Sequence, residues 1–294
     1  MEAVWRERMV PGEPEIFVAW QEGPADRTLL AIHGGPDWDH SYLRDPLQRL
    51  DSRLLLPDLR GCGRSGRVPE YHPDSVVDDL VRVLDAFGVE RADVLGHSYG
   101  GMVAQRFAIM RPERVRSLIV SGSSVLPVPA GAFDGWAERD EVLARQGDPW
   151  ERGDLTAEEC VRAEAFAAAP ANIRRAEAMA GYLERLAEIR FGGEWVRQLQ
   201  GGGLVSPRLP GAAERIAELG IPVLLLHGRY DMTFPVGLVE PTLELVPGAR
   251  AVVLEDAGHM LHIDDPDGYV LAIGKFLEGA ALGGRLELGG AGAV

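Results

Sequence analysis

Lysine, cysteine and long apolar runs are scarce in this chain, and each scarcity excludes something. Lys275 is the only lysine in 294 residues; the remaining basic side chains, histidines aside, are arginine, as a GC-rich coding sequence produces. The two cysteines, Cys62 and Cys160, stand far apart and share no CxxC or metal-ligand spacing, which excludes a disulfide framework and argues against a zinc site. No apolar run approaches the roughly 20 residues that span a bilayer. Residues 1–8 are charged rather than apolar, so no secretory leader is expected and the cytoplasm is the expected location. Positive charge is scarce too. Thirty Lys and Arg against 45 Asp and Glu give a formal charge of −15, which opposes binding to nucleic acid or an anionic membrane and suits a neutral or cationic small-molecule or short-peptide substrate.

What the chain does have is an alternation of buried-strand and amphipathic-helix patterns. β-like runs at 4–10 and 15–21 flank the turn Pro11-Gly12. Apolar strands follow at 28–32 and 54–56. Val76, Val77, Leu80, Val83, Leu84 and Phe87 have helical spacing, ended by Gly88. A strand at 93–95, a helix at 102–110 and a strand at 115–120 continue the rhythm, which implies an α/β fold with a mostly parallel, doubly wound sheet. From about 122 to 211 no buried strand is apparent. Helical stretches at 158–169 and 173–189 are broken there by Pro170 and by the glycines at 192–193 and 201–203. Strands at 221–226 and 251–254 and a helix at 266–277 restore the alternation. The expected organisation is a core of residues 1–121 and 212–294 with a helical cap, 122–211, inserted over the edge of the sheet where open α/β sheets bind ligands. The glycine-rich tail from Gly279 to Val294 is expected to be poorly ordered.

Between the strand at 93–95 and the helix at 102–110 lies Gly96-His97-Ser98-Tyr99-Gly100, a G-x-S-x-G pattern. A serine at a strand-to-helix turn is forced into a sharp bend that presents its hydroxyl beyond the sheet, and glycines on either side avoid Cβ clashes. Such a nucleophile needs a base and an acid that orients the base, in the chain order serine, acid, histidine. Downstream of Ser98 the histidines are His227, His259 and His262. His227 ends an apolar strand and His262 faces the start of the last helix, whereas His259 lies in a short loop after the last strand and is the expected base. Asp231, in the loop after the strand that His227 ends, is the expected acid. Asp256 is too near His259, and Asp264 and Asp265 read as helix N-terminal acids.

Two backbone N–H groups are expected to bind the oxyanion, those of Tyr99 and of Gly35 in His33-Gly34-Gly35-Pro36. Gly61-Cys62-Gly63-Arg64-Ser65-Gly66 matches the dinucleotide pattern G-x-G-x-x-G, but Pro69 and Pro73 keep a helix from opening at the glycines, so no pyrophosphate site and no cofactor are expected. The histidines show no metal-ligand spacing, and no metal is expected.

These motifs resemble the α/β-hydrolase superfamily from end to end, and more narrowly its proline iminopeptidase (prolyl aminopeptidase) branch. The narrower resemblance rests on His33-Gly34-Gly35-Pro36 with His40-Ser41-Tyr42-Leu43, on Asp58-Leu59-Arg60-Gly61-Cys62-Gly63-Arg64-Ser65, and on Gly228-Arg229-Tyr230-Asp231-Met232. It implies the triad Ser98, Asp231 and His259, release of N-terminal proline from peptides, and no cofactor. The chain departs from that branch at Asp37, where glycine is usual, and at Tyr99, where tryptophan is frequent; both departures are expected to fall near the acyl site. No cap motif for binding the substrate amine is evident, with Glu164 and Glu177 the candidates. The alternative activity is that of a carboxylesterase on small esters. A ligand-binding receptor on the same fold and a nicotinamide oxidoreductase are more distant readings, opposed respectively by the intact triad and by the failed dinucleotide motif.

Overall fold

The computed structural model describes residues 4–203 and 205–282. Eight strands form one sheet: β1 (Arg6–Val10), β2 (Ile16–Gln21), β3 (Thr28–Ile32), β4 (Arg53–Pro57), β5 (Ala92–His97), β6 (Val115–Ser121), β7 (Val223–Gly228) and β8 (Arg250–Leu254). Their spatial order is β1-β2-β4-β3-β5-β6-β7-β8. The β1–β2 and β2–β4 pairs are antiparallel and every later pair is parallel. Every residue of β3, β5 and β7 is buried, without the in–out alternation of a half-exposed strand, because helices cover both faces of the parallel part.

Twelve α-helices and five short 3-10 turns complete the described chain. The first three are α1 (Arg44–Leu47), α2 (Pro73–Ala86) and α3 (Tyr99–Met110), followed by α4 (Ala137–Ala144), α5 (Ala157–Ala167) and α6 (Ala169–Asn172). Then come α7 (Met179–Glu188), α8 (Glu194–Gln200), α9 (Ala212–Glu218), α10 (Val239–Leu245), α11 (Leu261–Asp264) and α12 (Pro266–Leu282). Helices α2, α3 and α9 pack on one face of the sheet, and α1 and α12 on the other. α2 shows why its sequence is helical. Pro73 occupies the first turn, the His72 ring accepts the N–H of Asp74, and Val76, Val77, Leu80, Val83 and Leu84 form one buried stripe. Each such side chain contributes about 1.5–3 kcal/mol when fully buried.

The connection from β3 leads outward to β4, and β5 pairs on the other side of β3. The C-terminal ends of β3 and β5 therefore diverge at a topological switch point, the crevice where open α/β sheets take ligands. Gly34 and Gly35 follow β3, and Ser98 follows β5. The G-x-G-x-x-G segment lies in a loop, with Gly61 at φ +76° and Gly63 at φ +49°, and no helix begins between it and Pro73.

Among the described residues of 122–211 there is no strand, and α4 to α8 fill that stretch. Several boundaries differ from those the sequence suggests. The break expected at Pro170 falls two residues earlier, at Ala168: α5 stops at Ala167, and Pro170 sits in the first turn of the separate α6, where its missing N–H has no helical partner to lose. The run expected to be helical over 173–189 is helical in α-form only from Met179. Residues 173–175 are extended, because the Asp264 carboxylate takes the N–H groups of Arg174 and Arg175. Helix α4 has weak apolar periodicity, and neither it nor α8, α9 and α10 is among the helices that the sequence spacing predicts. The last helix continues to Leu282, past the expected end at 277, so the first four residues of the expected tail are helical and 283–294 lie outside the described residues.

Candidate active site

β5 ends at His97, α3 begins at Tyr99, and Ser98 between them has φ +55° and ψ −122°. A non-glycine residue at positive φ is strained, and the strain holds the hydroxyl out of both elements. The flanking glycines are required by space. A Cβ on Gly96 would stand 2.1 Å from the Gly100 carbonyl oxygen, and one on Gly100 would stand 2.3 Å from that of His33.

The loops after β7 and β8 bring two side chains from far along the chain to this elbow. His259 Nε2 lies 3.0 Å from Ser98 Oγ, and His259 Nδ1 lies 2.9 Å from Asp231 Oδ2. With Nδ1–H donating to the carboxylate, Nε2 is left to accept the serine proton. The second oxygen of Asp231 accepts the N–H groups of Thr233 and Phe234, both at 2.8 Å. Burial alone would push the Asp231 carboxyl up, but the imidazoles of His259 and His227 and the Phe234 N–H outweigh it and hold the group below the usual carboxylate range. His227 is buried, with Nε2 2.7 Å from the Phe234 carbonyl oxygen, and braces the Asp231 loop rather than facing Ser98.

The loop after β3 closes the site from the other side. His33 locks it: its Nε2 accepts the Leu59 N–H, so its Nδ1–H donates to the Gly34 carbonyl at 2.8 Å. The Gly34 N–H donates to the Tyr42 hydroxyl at 2.6 Å. Among the described residues the N–H groups of Gly35 and Tyr99 have no such partner, and Gly35, at φ +106°, lines the cavity that Ser98 faces. This cavity, about 280 Å³, is walled on the sheet side by Trp38, His97, Thr233, His259 and Met260, and on the other by Val161, Glu164, Ala165, Asn172, Val196 and Leu199.

The described features coincide with a match to the model of the alpha/beta hydrolase fold family over residues 27–266. The chain belongs to that family. Its relatives diverge in activity. The hydrolase is 30% identical to a protein provisionally named as a carbamate hydrolase from Azorhizobium caulinodans, over 82% of this chain and 87% of the relative. It is equally identical, at 30%, to a 2-hydroxymuconate semialdehyde hydrolase from a Pseudomonas species, over 85% and 86% of the two chains. A proline iminopeptidase from Heyndrickxia coagulans is 26% identical over 91% of this chain and 96% of its own. Among solved structures, a proline iminopeptidase from Mycobacterium smegmatis superposes with a TM-score of 0.69 at 22% identity, over 95% of this chain and 99% of that one.

The hydrolase differs from its sequence reading in three side chains, Asp37, Tyr99 and Asp264. Asp37 does not face the cavity at Ser98; its carboxylate is buried against the start of α8. Nor does the side chain of Tyr99, whose ring packs on Trp195 with centroids 5.8 Å apart. Asp265 is a helix N-terminal acid, accepting the Gly268 N–H at 2.9 Å, but Asp264 is not. Asp264 accepts N–H groups from Arg174, Arg175 and, at 2.8 Å, Gly258, next to His259. Of the two glutamates considered for amine binding, Glu164 lines the cavity and accepts the Trp150 Nε1–H at 3.1 Å, whereas Glu177 is exposed and paired with Arg175. No local motif marks Asp37 or Asp264, because all the N–H groups they bind, Gly258 apart, lie 89 or more residues away in the chain.

Proposed function

We propose that this hydrolase is a serine hydrolase in which Ser98 attacks a substrate carbonyl, His259 accepts its proton and Asp231 holds the imidazole. The N–H groups of Gly35 and Tyr99 bind the oxyanion, His259 returns the proton to the leaving group, and water then cleaves the acyl-enzyme by the same route. Residues 122–211 act as a cap that supplies the far wall of the cavity. The observation that carries this reading is the unbroken hydrogen-bonded chain from a buried carboxylate through an imidazole to a strained serine that opens into a cavity.

The test is covalent labelling. A fluorophosphonate probe is expected to modify the wild type at Ser98 and to leave Ser98→Ala unmodified. Ser98→Ala and His259→Ala are each expected to lower kcat by several orders of magnitude, with the double variant little worse, because the residues act as a unit. Near-normal turnover by Ser98→Ala would refute the mechanism.

For the substrate, the first reading is release of N-terminal proline from peptides. It is supported by the resemblance of the motifs, by the 26% identical relative, and by Glu164, an acidic side chain on the cap-side wall where a substrate ammonium group can pair with it. The alternative is a carboxylesterase, favoured by the apolar residues Val161, Ala165, Ala168, Val196 and Leu199, which outnumber Glu164 and Asn172 on the cap-side wall. A charge-assisted pair in a partly desolvated pocket is worth about 1.5–3 kcal/mol, or roughly ten- to a hundredfold in kcat/KM. Prolyl-p-nitroanilide is therefore expected to react much faster than its N-acetylated form, and Glu164→Gln to remove most of that preference while sparing hydrolysis of a neutral ester. Equal rates for free and blocked amines, with short esters faster than either, would assign the esterase instead.

A further inference from the structure

Among the described residues, Ser98 and Asp37 are the two non-glycine residues at positive φ, and Asp37 has φ +67°. A side chain in this region is disfavoured relative to glycine, so its presence calls for an offsetting interaction. The Asp37 carboxylate supplies one. It is removed from solvent, and three consecutive backbone N–H groups donate to it: Glu194 at 2.9 Å and Trp195 at 3.1 Å to Oδ1, and Val196 at 2.8 Å to Oδ2. Its own carbonyl oxygen accepts the Gly192 N–H at 2.7 Å. Two residues further, Asp39 Oδ2 accepts the Arg190 N–H at 3.0 Å. Residues 37–39 thus bind 190–196 through five hydrogen bonds, in addition to the edge-on contact of Trp38 with Phe191.

The same loop carries the oxyanion donor. Gly35 is in a turn so tight that a Cβ there would stand 3.0 Å from the Trp38 nitrogen and 3.2 Å from that of Asp37. Only Pro36, whose ring fixes its φ, stands between Gly35 and Asp37, so a shift of Asp37 is transmitted to Gly35. On the other side of the contact, Val196 and Leu199 of α8 line the cavity opposite Gly35, Pro36 and Trp38.

We propose that Asp37 is a positioning residue of the acyl site, its carboxylate tying residues 190–196 to the loop of Gly35 so that one side chain aligns an oxyanion donor with the facing cavity wall. The role of Gly35 in it rests on the serine-hydrolase reading above. A carboxylate suits the task because it offers several lone-pair positions to N–H groups that converge from one direction, which no neutral side chain of that length does. Misplacement of a reacting group by about 1 Å costs on the order of a hundredfold in rate.

The test compares the wild type with Asp37→Gly and Asp37→Asn. Glycine keeps the positive φ without strain and removes only the carboxylate. Asparagine keeps one acceptor for Glu194 and Trp195 but turns an amide N–H group toward the N–H of Val196. Two quantities are measured: the first-order rate of inactivation by saturating paraoxon, and amide hydrogen exchange over 33–38 and 190–196. Asp37→Gly is expected to be inactivated roughly ten- to a hundredfold more slowly and to exchange faster in both segments, with Asp37→Asn recovering part of the rate. Inactivation of Asp37→Gly at the wild-type rate, or faster exchange confined to 190–196, would overturn the proposal. If Asp37→Gly does not fold, a wild-type rate in Asp37→Asn overturns it equally. A wild type that resists paraoxon defeats the serine-hydrolase reading instead, and the exchange data still decide whether the two segments are tied.

Discussion

Glycine has two meanings in this chain, and the difference is a matter of space. At Gly100 a Cβ would stand 2.3 Å from the His33 carbonyl oxygen and 2.4 Å from that of Ile32, both backbone atoms that cannot swing aside. At Gly181, on the exposed side of α7, nothing lies within 4 Å of the same atom. Gly100→Ala is therefore expected to destabilise the hydrolase by more than about 3 kcal/mol, because β3 and α3 must move apart at the elbow. Gly181→Ala is expected to stabilise it by about 0.5–1 kcal/mol through the loss of chain entropy in the unfolded state. Urea titration of the two variants checks both signs at once. The elbow was legible in the sequence because its requirements are local: a strand, a bend without side chains, and a helix within a dozen residues.

At the scale of elements, the contacts between 172–196 and the sheet's C-terminal edge are made by buried aspartates as well as by apolar packing. Asp264 joins the extended residues 174–175 to the loop of His259, and Asp37 joins α8 to the loop of Gly35. Asp264 is 2% exposed, and burial pushes its carboxyl up against the opposing pull of the Arg174, Gly258 and Arg175 N–H groups. Asp264→Ala leaves those N–H groups unpaired, at about 1–3 kcal/mol for each that stays dry. The expected loss is about 2–4 kcal/mol, read as a lower urea midpoint at unchanged slope, together with a fall in kcat because Gly258 precedes His259. These contacts also explain where the helix boundaries went astray. Residues 173–175 have a sequence compatible with helix, but a carboxylate distant in the chain binds the N–H groups of Arg174 and Arg175 and holds them extended, so the helix starts later.

For the whole molecule, the buried histidines set the response to acid. Burial lowers the basicity of His33 and His97, and His262 is lowered to about 3 by burial, Arg185 and His259. In the unfolded chain each of these imidazoles has a pKa of about 6.5. Between the two values the unfolded state binds more protons, so stability rises with pH, and the contribution of these groups is lost as the pH falls below about 6.5. Asp58 and Asp231, both held below the usual carboxylate range, add to the loss only below about 4. Acid unfolding is therefore expected to begin well above the carboxylate range. His262→Gln is expected to flatten the dependence of unfolding free energy on pH by up to about 1.4 kcal/mol per pH unit between pH 4 and 6.5, measured by urea titration across that range. An unchanged slope would mean that His262 takes up no proton on unfolding.

By itself the sequence determined the α/β alternation, the position of the nucleophile elbow and the candidate triad, because each is written in spacing of a few residues: apolar period, turn glycines, and polar residues just past strand ends. The chain order of Ser98, Asp231 and His259 made the three legible together, although 161 residues separate the serine from the histidine. Only the tertiary structure decided which glutamate faces the cavity, since Glu164 and Glu177 sit in similar helical surroundings and differ in what stands opposite them. It also decided the parts of Asp37 and Asp264. A short aspartate has no periodicity to betray its orientation, and its meaning comes from backbone N–H groups that folding brings to it. Local geometry is encoded where it is used, whereas a contact between distant segments is encoded in neither alone.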